Sequence, residues 1–216
     1  MKVLIDGENY RKGSAEVLKK ERIIAHSKEV LDYDVRGLLS DVLEAAELEI
    51  SYYSSKIKLP HGYTPSQEIL DRVEEIREHA RSWVSSLERQ GINYLKAGYL
   101  KVKSAKPCRN CGETQEVLQE KGVDVRLATD IVEHAFMSPQ EPIVVMSSDS
   151  DLIPALLSAK RKGVHITYVC FAGFVNKAIS GTADETVSIS TQKVKRYFTR
   201  VGPSETAEQQ TLLPPE

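Results

Sequence analysis

The stretch that decides the fold is PIVVMSSDSDLIPAL, Pro142–Leu156, in which an apolar run passes directly into serines and aspartates and then into a second apolar run. PIVVMSS is a nearly continuous apolar segment, typical of a strand at the centre of a parallel sheet. DLIPALLSAKRKG then has the pattern of a helix that ends at Gly163, and VHITYVC has the pattern of a further strand. A strand, a helix and a second strand in this order predict a parallel sheet.

The same alternation continues from this stretch toward the N-terminus. Strands are predicted in VLID, LEISYYSSKIK and INYLKAGYLKVK, and helices in DYDVRGLLSDVLEAA, in residues 64–91 and in VDVRLATDIVEHAF. Thr64 is predicted as the N-cap of the helix over 64–91, with Pro65 at its first position and Gly91 after its end. The segment from Asn176 to about Phe198 stays open between a helix and a short edge strand near TVSIS.

Length and composition predict one domain. A chain of 216 residues with 41% hydrophobic residues is large enough to bury a core of its own. We expect a single domain over residues 1–200, with a long helical insertion at about 64–91 and a cysteine-bearing loop at about 104–121. Residues 201–216 are polar with two adjacent prolines, a composition that predicts a disordered tail.

Charge and cysteine content limit the classes of function. The formal net charge is only −2, so any binding to nucleic acid must come from local clusters of Lys and Arg. No segment approaches the roughly 18 apolar residues of a membrane span, and three cysteines do not make a disulfide framework. These features predict a cytoplasmic protein that has no membrane partner.

Acidic residues follow two of the apolar strands where each strand ends. VLID delivers Asp6, VVMSSDSD delivers Asp149 and Asp151, and the helix VDVRLATDIV adds Asp124 in its first turn, on the side that carries the apolar stripe. Ligands of an open parallel sheet bind beyond the carboxyl ends of its strands, so we expect these carboxylates to share one pocket. Crowded carboxylates repel one another unless a cation lies between them, and oxygen ligands favour Mg²⁺ or Mn²⁺.

Each of these acids also has a purely structural interpretation. Asp6 can bond the backbone of the turn at Gly7, Asp149 can cap a turn, and Asp151 can cap the helix that begins at Leu152. Capping is the common use of Asp at strand-to-helix turns, but together the acids favour a metal site.

Asp130 is a second-rank candidate. It stands off the apolar stripe of its helix, at four-residue spacing from Arg126 and from His134. A surface pair with either neighbour is therefore as good an interpretation as a place in the site.

Three motifs in the chain resemble one known family. IDGENY resembles the opening Asp-Gly-x-Asn element of NYN domains of the LabA-like group, within the PIN-like nucleases. KGVDVRLATDIV resembles the central Lys-Gly-x-Asp helix of that family, and SSDSDLIPAL resembles its Ser-x-Asp-x-Asp signature, which a Pro-containing helix follows. The three motifs come in family order, across Met1 to about Val187.

The resemblance implies a fold and an activity. It implies an α/β three-layer sandwich with a mostly parallel central sheet, and metal-dependent cleavage of RNA phosphodiesters, in which water attacks phosphorus while Mg²⁺ or Mn²⁺ stabilises the charge. Asn9 resembles the family's supporting amide, and Asp130 resembles its second helical acid. The residues that match the metal-binding, catalytic acids are Asp6, Asp124, Asp149 and Asp151.

Two other functions remain open. An RNA-binding or regulatory scaffold would keep the fold and some of the acids without turnover, because fold does not fix function. A phosphohydrolase acting through an aspartyl phosphate is disfavoured, because IDGEN lacks a second Asp two residues after Asp6.

Basic and aromatic residues suggest a path for RNA. Clustered Lys and Arg can follow a phosphate backbone while tyrosines stack on bases. The alternative is a solvated loop, since such clusters arise easily in a chain with 28% charged residues. The tyrosines are Tyr52 and Tyr53. Lys56 and Lys58 follow them in the same predicted strand. The candidate RNA-binding residues are Lys101, Lys103, Lys106 and Arg109.

The cysteine pair and the long helix give two further expectations. Cys108 and Cys111 in PCRNCG resemble half of a zinc site, to which a histidine such as His61 or a second chain would have to add ligands; a pair of reduced thiols is the alternative. The helix over 64–91 is amphipathic, so its far side offers a surface for a homo-oligomer.

Overall fold

The computed structural model describes residues 1–26, 33–58, 65–104, 111–112, 114 and 116–198. These residues form one seven-stranded sheet and seven α-helices. The strands are β1 (Lys2–Asp6), β2 (Glu49–Lys58), β3 (Asn93–Ser104), β4 (Glu116–Lys121), β5 (Ile143–Met146), β6 (Ile166–Phe171) and β7 (Glu185–Ile189). The helices are α1 (Gly7–Lys20), α2 (Val35–Leu43), α3 (Gln67–Arg89), α4 (Val123–Met137), α5 (Ile153–Arg161), α6 (Lys177–Thr182) and α7 (Thr191–Tyr197).

The sheet is mostly parallel, which confirms the predicted α/β class. Its strand order is β4-β3-β2-β1-β5-β6-β7, and only the β3–β4 pair is antiparallel. From β1 the chain adds β2 and β3 on one side, and it later adds β5, β6 and β7 on the other. The order therefore reverses between β1 and β5, the point at which open parallel sheets bind ligands.

Helices cover both faces of the sheet, so the fold has three layers. One core cluster joins strand residues to α1, α2, α3 and α7, and it includes Tyr10, Leu39, Leu87 and Val194. The other joins strand residues to α4, α5 and α6. Apolar residues alternate between the two clusters along each central strand, as Ile5 and Leu4 do in β1, because successive side chains of a strand point to opposite faces.

The long helix begins two residues later than its sequence pattern predicts. Ser66 is the N-cap of α3 but makes no side-chain capping bond; its backbone N–H donates instead to the Glu116 carboxylate at 2.8 Å. The predicted N-cap, Thr64, lies outside the described residues. Gly91, which follows the helix, has a φ of +68°, a conformation that favours glycine. Since α3 connects the parallel strands β2 and β3, it supplies the crossover that this pair requires.

Part of the segment predicted as a loop over 104–121 is a strand. β4 pairs antiparallel with β3 in the register Lys101↔Gln119. The strand lies at the sheet edge and has a mostly polar sequence, with Leu118 packed against a small cluster that includes Val102 and Ile69. The loop prediction was wrong here because an edge strand needs few apolar residues.

Two further regions differ from the sequence expectation or complete it. Sequence analysis predicts no helix directly after β1, yet α1 begins at Gly7. Its buried face includes Gly13 and Ser14, so the apolar period is weak, and the Ser14 hydroxyl donates to the carbonyl of Tyr10 at 2.9 Å. The segment left open near the C-terminus forms α6, β7 and α7. The first four residues of TVSIS lie in the edge strand β7, and the last, Ser190, caps α7.

The described helices include none that is both long and apolar enough to cross a lipid bilayer. The residues predicted to form a tail, 201–216, lie outside the described part of the chain.

Candidate metal centre

The chain positions its acids at the reversal point of the sheet. β1 and β5 pair in parallel with Ile5 opposite Met146, so Asp6, the last residue of β1, lies beside Ser147, the first residue after β5. The chain then turns through a short 3-10 segment, Ser150–Leu152, before α5 begins. The predicted convergence of acids therefore occurs where two central strands end.

Three of the predicted acids lie close together. Asp124, Asp149 and Asp151 each offer a carboxylate oxygen, and these oxygens lie within 4.8 Å of one another. Asp124 comes from the first turn of α4, whose preceding residue is Gly122 with a φ of +87°. Three carboxylates from two separate chain segments form an all-oxygen donor set, the type that binds Mg²⁺ or Mn²⁺.

The capping interpretation is correct for Asp149 and does not exclude a place in the cluster. One carboxylate oxygen of Asp149 accepts from the backbone N–H of Asp151 at 3.0 Å and so caps the 3-10 turn. This bond fixes the carboxylate against the backbone that carries Asp151. Capping and convergence therefore act together, because the cap holds the two acids in a fixed relation.

Asp6 is the most buried of the acids, with 5% of its surface exposed. Its carboxylate accepts from the Asn9 backbone N–H at 3.1 Å, from the Asn9 side-chain amide at 2.5 Å and from the Ser147 hydroxyl at 3.0 Å. These bonds compensate for the loss of hydration that burial imposes on a charge. Through the bond from the Asn9 backbone N–H, Asp6 caps α1, where the sequence predicts only a turn at Gly7. Asp6 is not one of the three acids in the cluster.

Ser147 links Asp6 to the cluster. Its hydroxyl donates to Asp6 and accepts from the backbone N–H of Asp149 at 3.1 Å. The Ser147 hydroxyl therefore bridges the Asp6 carboxylate and the backbone N–H of Asp149. Ser147 was visible in the motif SSDSD, but its strand-end position alone did not indicate this link.

Asn9 connects three segments around the cluster. While its amide group donates to Asp6, its side-chain oxygen accepts from the Ser148 hydroxyl. The carbonyl of Ser148 accepts in turn from the side-chain amide of Asn176 at 2.9 Å, and Asn176 caps α6. The supporting role of Asn9 stays a prediction, and these bonds add Ser148 and Asn176 to the side chains around it.

Asp130 lies outside the three-acid cluster. It accepts from Arg126 Nε at 2.8 Å and from the Tyr53 hydroxyl at 2.8 Å. The predicted pair with Arg126 therefore forms, and the bond to Tyr53 attaches α4 to β2. Burial, followed by the nearby Asp130 carboxylate, raises the pKa of Tyr53 well above its ordinary value.

His134 is not the surface partner of Asp130 that its spacing suggested. It is buried, and its Nε2 donates to the carbonyl of Glu141 at 2.9 Å. The helical period places His134 on the buried side of α4, and the Glu141 carbonyl belongs to the segment that follows the helix.

Glu120 is a partly buried carboxylate that sequence analysis does not identify. It lies on β4, and burial raises its pKa, with further increases from the negative charges of Glu8 and Asp6. The polar sequence of β4 gives no sign of this, because the burial of Glu120 depends on the pairing of β4 with β3.

The raised pKa of Glu120 gives a prediction for stability. An ionised carboxylate that is disfavoured in the folded state destabilises the fold at pH values above its pKa. We expect Glu120→Gln to raise Tm slightly near pH 7, and we expect this gain to vanish below about pH 4, where glutamates are neutral in both states. Thermal unfolding in EDTA at several pH values measures it.

The matched control for this prediction is Glu133→Gln, at an exposed glutamate of α4. An equal gain in both variants, or a gain for Glu120→Gln that persists at pH 3, would contradict the assignment.

Only part of the predicted RNA path lies in the described residues. Lys101 and Lys103 are exposed and lie on one face of β3, opposite Val102. Lys106 and Arg109 lie outside the described residues. The prediction that Tyr52 and Tyr53 stack on bases is wrong, since both are buried in the core clusters. Tyr99, also on β3, has an exposed ring, and Lys58 Nζ lies 5.8 Å from its centroid.

The predicted zinc site remains a prediction. Cys111 is exposed, whereas Cys108 and His61 lie outside the described residues. The third cysteine, Cys170, is buried in β6, and burial raises the pKa of its thiol. Within the described part of the chain, the residues that are close enough together to share a metal ion are Asp124, Asp149 and Asp151.

A mostly parallel α/β sheet with clustered acids at its reversal point is the arrangement of the PIN-like fold, which defines the class of this protein. A model of the NYN domain matches residues 1–190, and the chain therefore belongs to the NYN domain family, within the PIN-like nuclease superfamily.

A crystal structure of a protein of unknown function from Vibrio parahaemolyticus is similar, with a TM-score of 0.48 and 15% identity over 87% of this chain and 91% of that one. No curated protein matches the chain.

Proposed function

We propose that this protein is a metal-dependent endoribonuclease that hydrolyses RNA phosphodiester bonds. The observation that carries the proposal is the cluster of Asp124, Asp149 and Asp151, whose carboxylate oxygens lie within 4.8 Å of one another at the reversal point of the sheet. Membership of the NYN family supports the same reaction class, and the order of the three sequence motifs favours the LabA-like group.

The donor set fits a hard divalent cation. Three carboxylates this close repel one another, and a cation between them removes the repulsion. Carboxylate oxygens suit Mg²⁺ or Mn²⁺, and they suit softer metals less well. When bound, the cation neutralises charge on the phosphoryl oxygens and favours ionisation of water.

The residues of this chain divide into holders and positioners. Asp124, Asp149 and Asp151 hold the cation, with Asp6 as the fourth acid beside them. Asn9 and Ser147 orient the Asp6 carboxylate through the bonds described above. An acid of the cluster accepts the proton of the attacking water, and water protonates the leaving oxygen of the ribose.

RNA reaches the site along the face of β3 that carries Lys101 and Lys103. Their exposure on one face of β3 supports contacts to phosphates, with Lys106 and Arg109 extending the same basic segment. Phosphate contacts of this kind provide affinity without sequence readout, so we expect binding to weaken as salt rises.

The experiment that tests the proposal is cleavage of labelled single-stranded RNA by the purified protein with Mn²⁺, with Mg²⁺ or with EDTA. We expect cutting with either metal and none in EDTA, because the acids cannot substitute for the cation. Single-stranded DNA of the same sequence tests the choice of RNA.

Two results would overturn the proposal. Cleavage in EDTA equal to that in Mn²⁺ would exclude a metal-dependent reaction. Binding of RNA without cleavage in any metal, over structured and unstructured substrates, would favour the RNA-binding scaffold instead.

A further inference from the structure

A pocket lies beside the acidic cluster, and the proposed hydrolysis assigns it no role. Its volume is about 160 Å³, and it lies at the carboxyl ends of β5 and β6. Met146, Phe171 and Phe174 give it an apolar interior. One face of α1 forms its wall, with Lys12 and Glu16 one turn apart at its edge.

The pocket is continuous with the supports of the acidic cluster. Asn9, Ser147 and Ser148 line it. Asn9 and Ser147 both donate to Asp6, and Ser147 accepts from the backbone of Asp149. A group in the pocket therefore contacts the side chains that orient the acids, so a ligand that reaches the acids can also place a part of itself here.

The chemistry of the walls suits a flat heterocycle. Phe171 packs directly against α1 because residue 13 is glycine: a Cβ there would lie 2.4 Å from the Phe171 ring. Phe174 adds a second ring, and Lys20 Nζ lies 4.6 Å from its centroid. Aromatic rings bind nucleobases by stacking. Glu16 offers an acceptor to the polar edge of a base, and Lys12, whose Nζ pairs with Glu8 at 3.3 Å, has further N–H groups to donate.

The volume selects the size of the base. An apolar cavity of roughly 150 Å³ takes one benzene ring. A volume of about 160 Å³ is thus sufficient for the single ring of a pyrimidine, whereas the second ring of a purine would extend out of the open side of the pocket.

We propose that this pocket binds a pyrimidine base of the RNA strand, next to the phosphodiester that the acids address. The position of the base relative to the cleaved bond rests on the proposed function; the presence of a pyrimidine site does not. The protein then prefers RNA with uracil or cytosine at one position.

Binding in EDTA tests the pocket separately from cleavage. Fluorescein-labelled oligouridine, oligoadenine and oligouridine with abasic positions carry the same phosphates, so differences in Kd report the bases. We expect oligouridine to bind more tightly than either of the others by on the order of tenfold, the effect of stacking one base.

Phe174→Leu is the informative variant, since it keeps an apolar side chain but removes the ring. We expect the ratio of the two Kd values, oligoadenine to oligouridine, to fall to near one. Val175→Ala changes the exposed neighbour, which does not line the pocket, and it should keep the ratio. The abasic substrate answers the same question without altering the protein, so a poorly folded Phe174→Leu does not prevent a decision.

The outcomes separate the two proposals. Equal binding of all three oligonucleotides by the wild type, or a preference that Phe174→Leu leaves unchanged, overturns the pocket even if RNA is cleaved. A pyrimidine preference that depends on Phe174, in a protein that cuts no RNA, supports the pocket and rejects the nuclease.

Discussion

Replacing Asp149 with asparagine is expected to lower the rate of metal-dependent RNA cleavage by on the order of 100-fold or more, because loss of a group that merely orients a metal ligand already costs about 10- to 100-fold. The substitution removes one negative charge from a cluster of three carboxylates. It retains the shape of the side chain, so the cap to the Asp151 backbone N–H can persist. The loss should therefore come from weakened metal binding and not from a changed fold.

Cleavage rates at increasing Mn²⁺ concentration measure this effect, together with Tm in EDTA. Glu133→Gln is the matched control, since it also neutralises one acid, on an exposed position of α4. We expect it to keep the wild-type rate. An Asp149→Asn protein that cleaves RNA at the wild-type rate, with the same dependence on Mn²⁺, would show that this cluster is not the site of cleavage.

Most of the site was predictable from the sequence because strand ends and helix starts are local features. Apolar runs that stop at Asp6 and before Asp149 identify two central strands, and parallel strands bring their carboxyl ends to one edge. Asp124 follows from helical spacing alone. Each of these inferences needs only a few neighbouring residues.

Features that depend on pairing between distant segments were not predictable. Glu120 is partly buried because β4 turns back along β3, and the sequence of β4 is too polar to indicate a strand. The tyrosines of β2 looked suitable for base stacking, but both faces of a central strand are buried, so they lie in the core. The sequence does not predict α1 because its buried face includes Gly13 and Ser14, which interrupt the apolar period expected of a helix.

The second large effect is expected at Gly7, which follows Asp6 and begins α1. A Cβ at this position would lie 2.4 Å from the Tyr52 ring and 2.6 Å from the carbonyl oxygen of Tyr53. Neither group can yield easily. Tyr52 is buried against Tyr10 and Trp83, and its hydroxyl donates to the Gly7 carbonyl at 2.8 Å, while the Tyr53 carbonyl belongs to the backbone of a central strand.

We expect Gly7→Ala to lower the free energy of unfolding by about 3 kcal/mol, the upper part of the usual cost of overpacking a core. For a chain of this length, that loss corresponds to a decrease in Tm of roughly 6–12 °C. Thermal and urea unfolding followed by circular dichroism measure both quantities.

Gly181→Ala is the control, since a Cβ there meets nothing within 4 Å and the residue lies in α6. Alanine favours helix over glycine by up to about 1 kcal/mol, so we expect this variant to be as stable as the wild type or slightly more so. Equal stability of Gly7→Ala and Gly181→Ala would mean that α1 can move away from β2. Asn9, which donates to Asp6, lies in the same first turn of α1 as Gly7. Such a movement would therefore shift the bonds that orient Asp6, and we expect RNA cleavage to fall even if stability is unchanged.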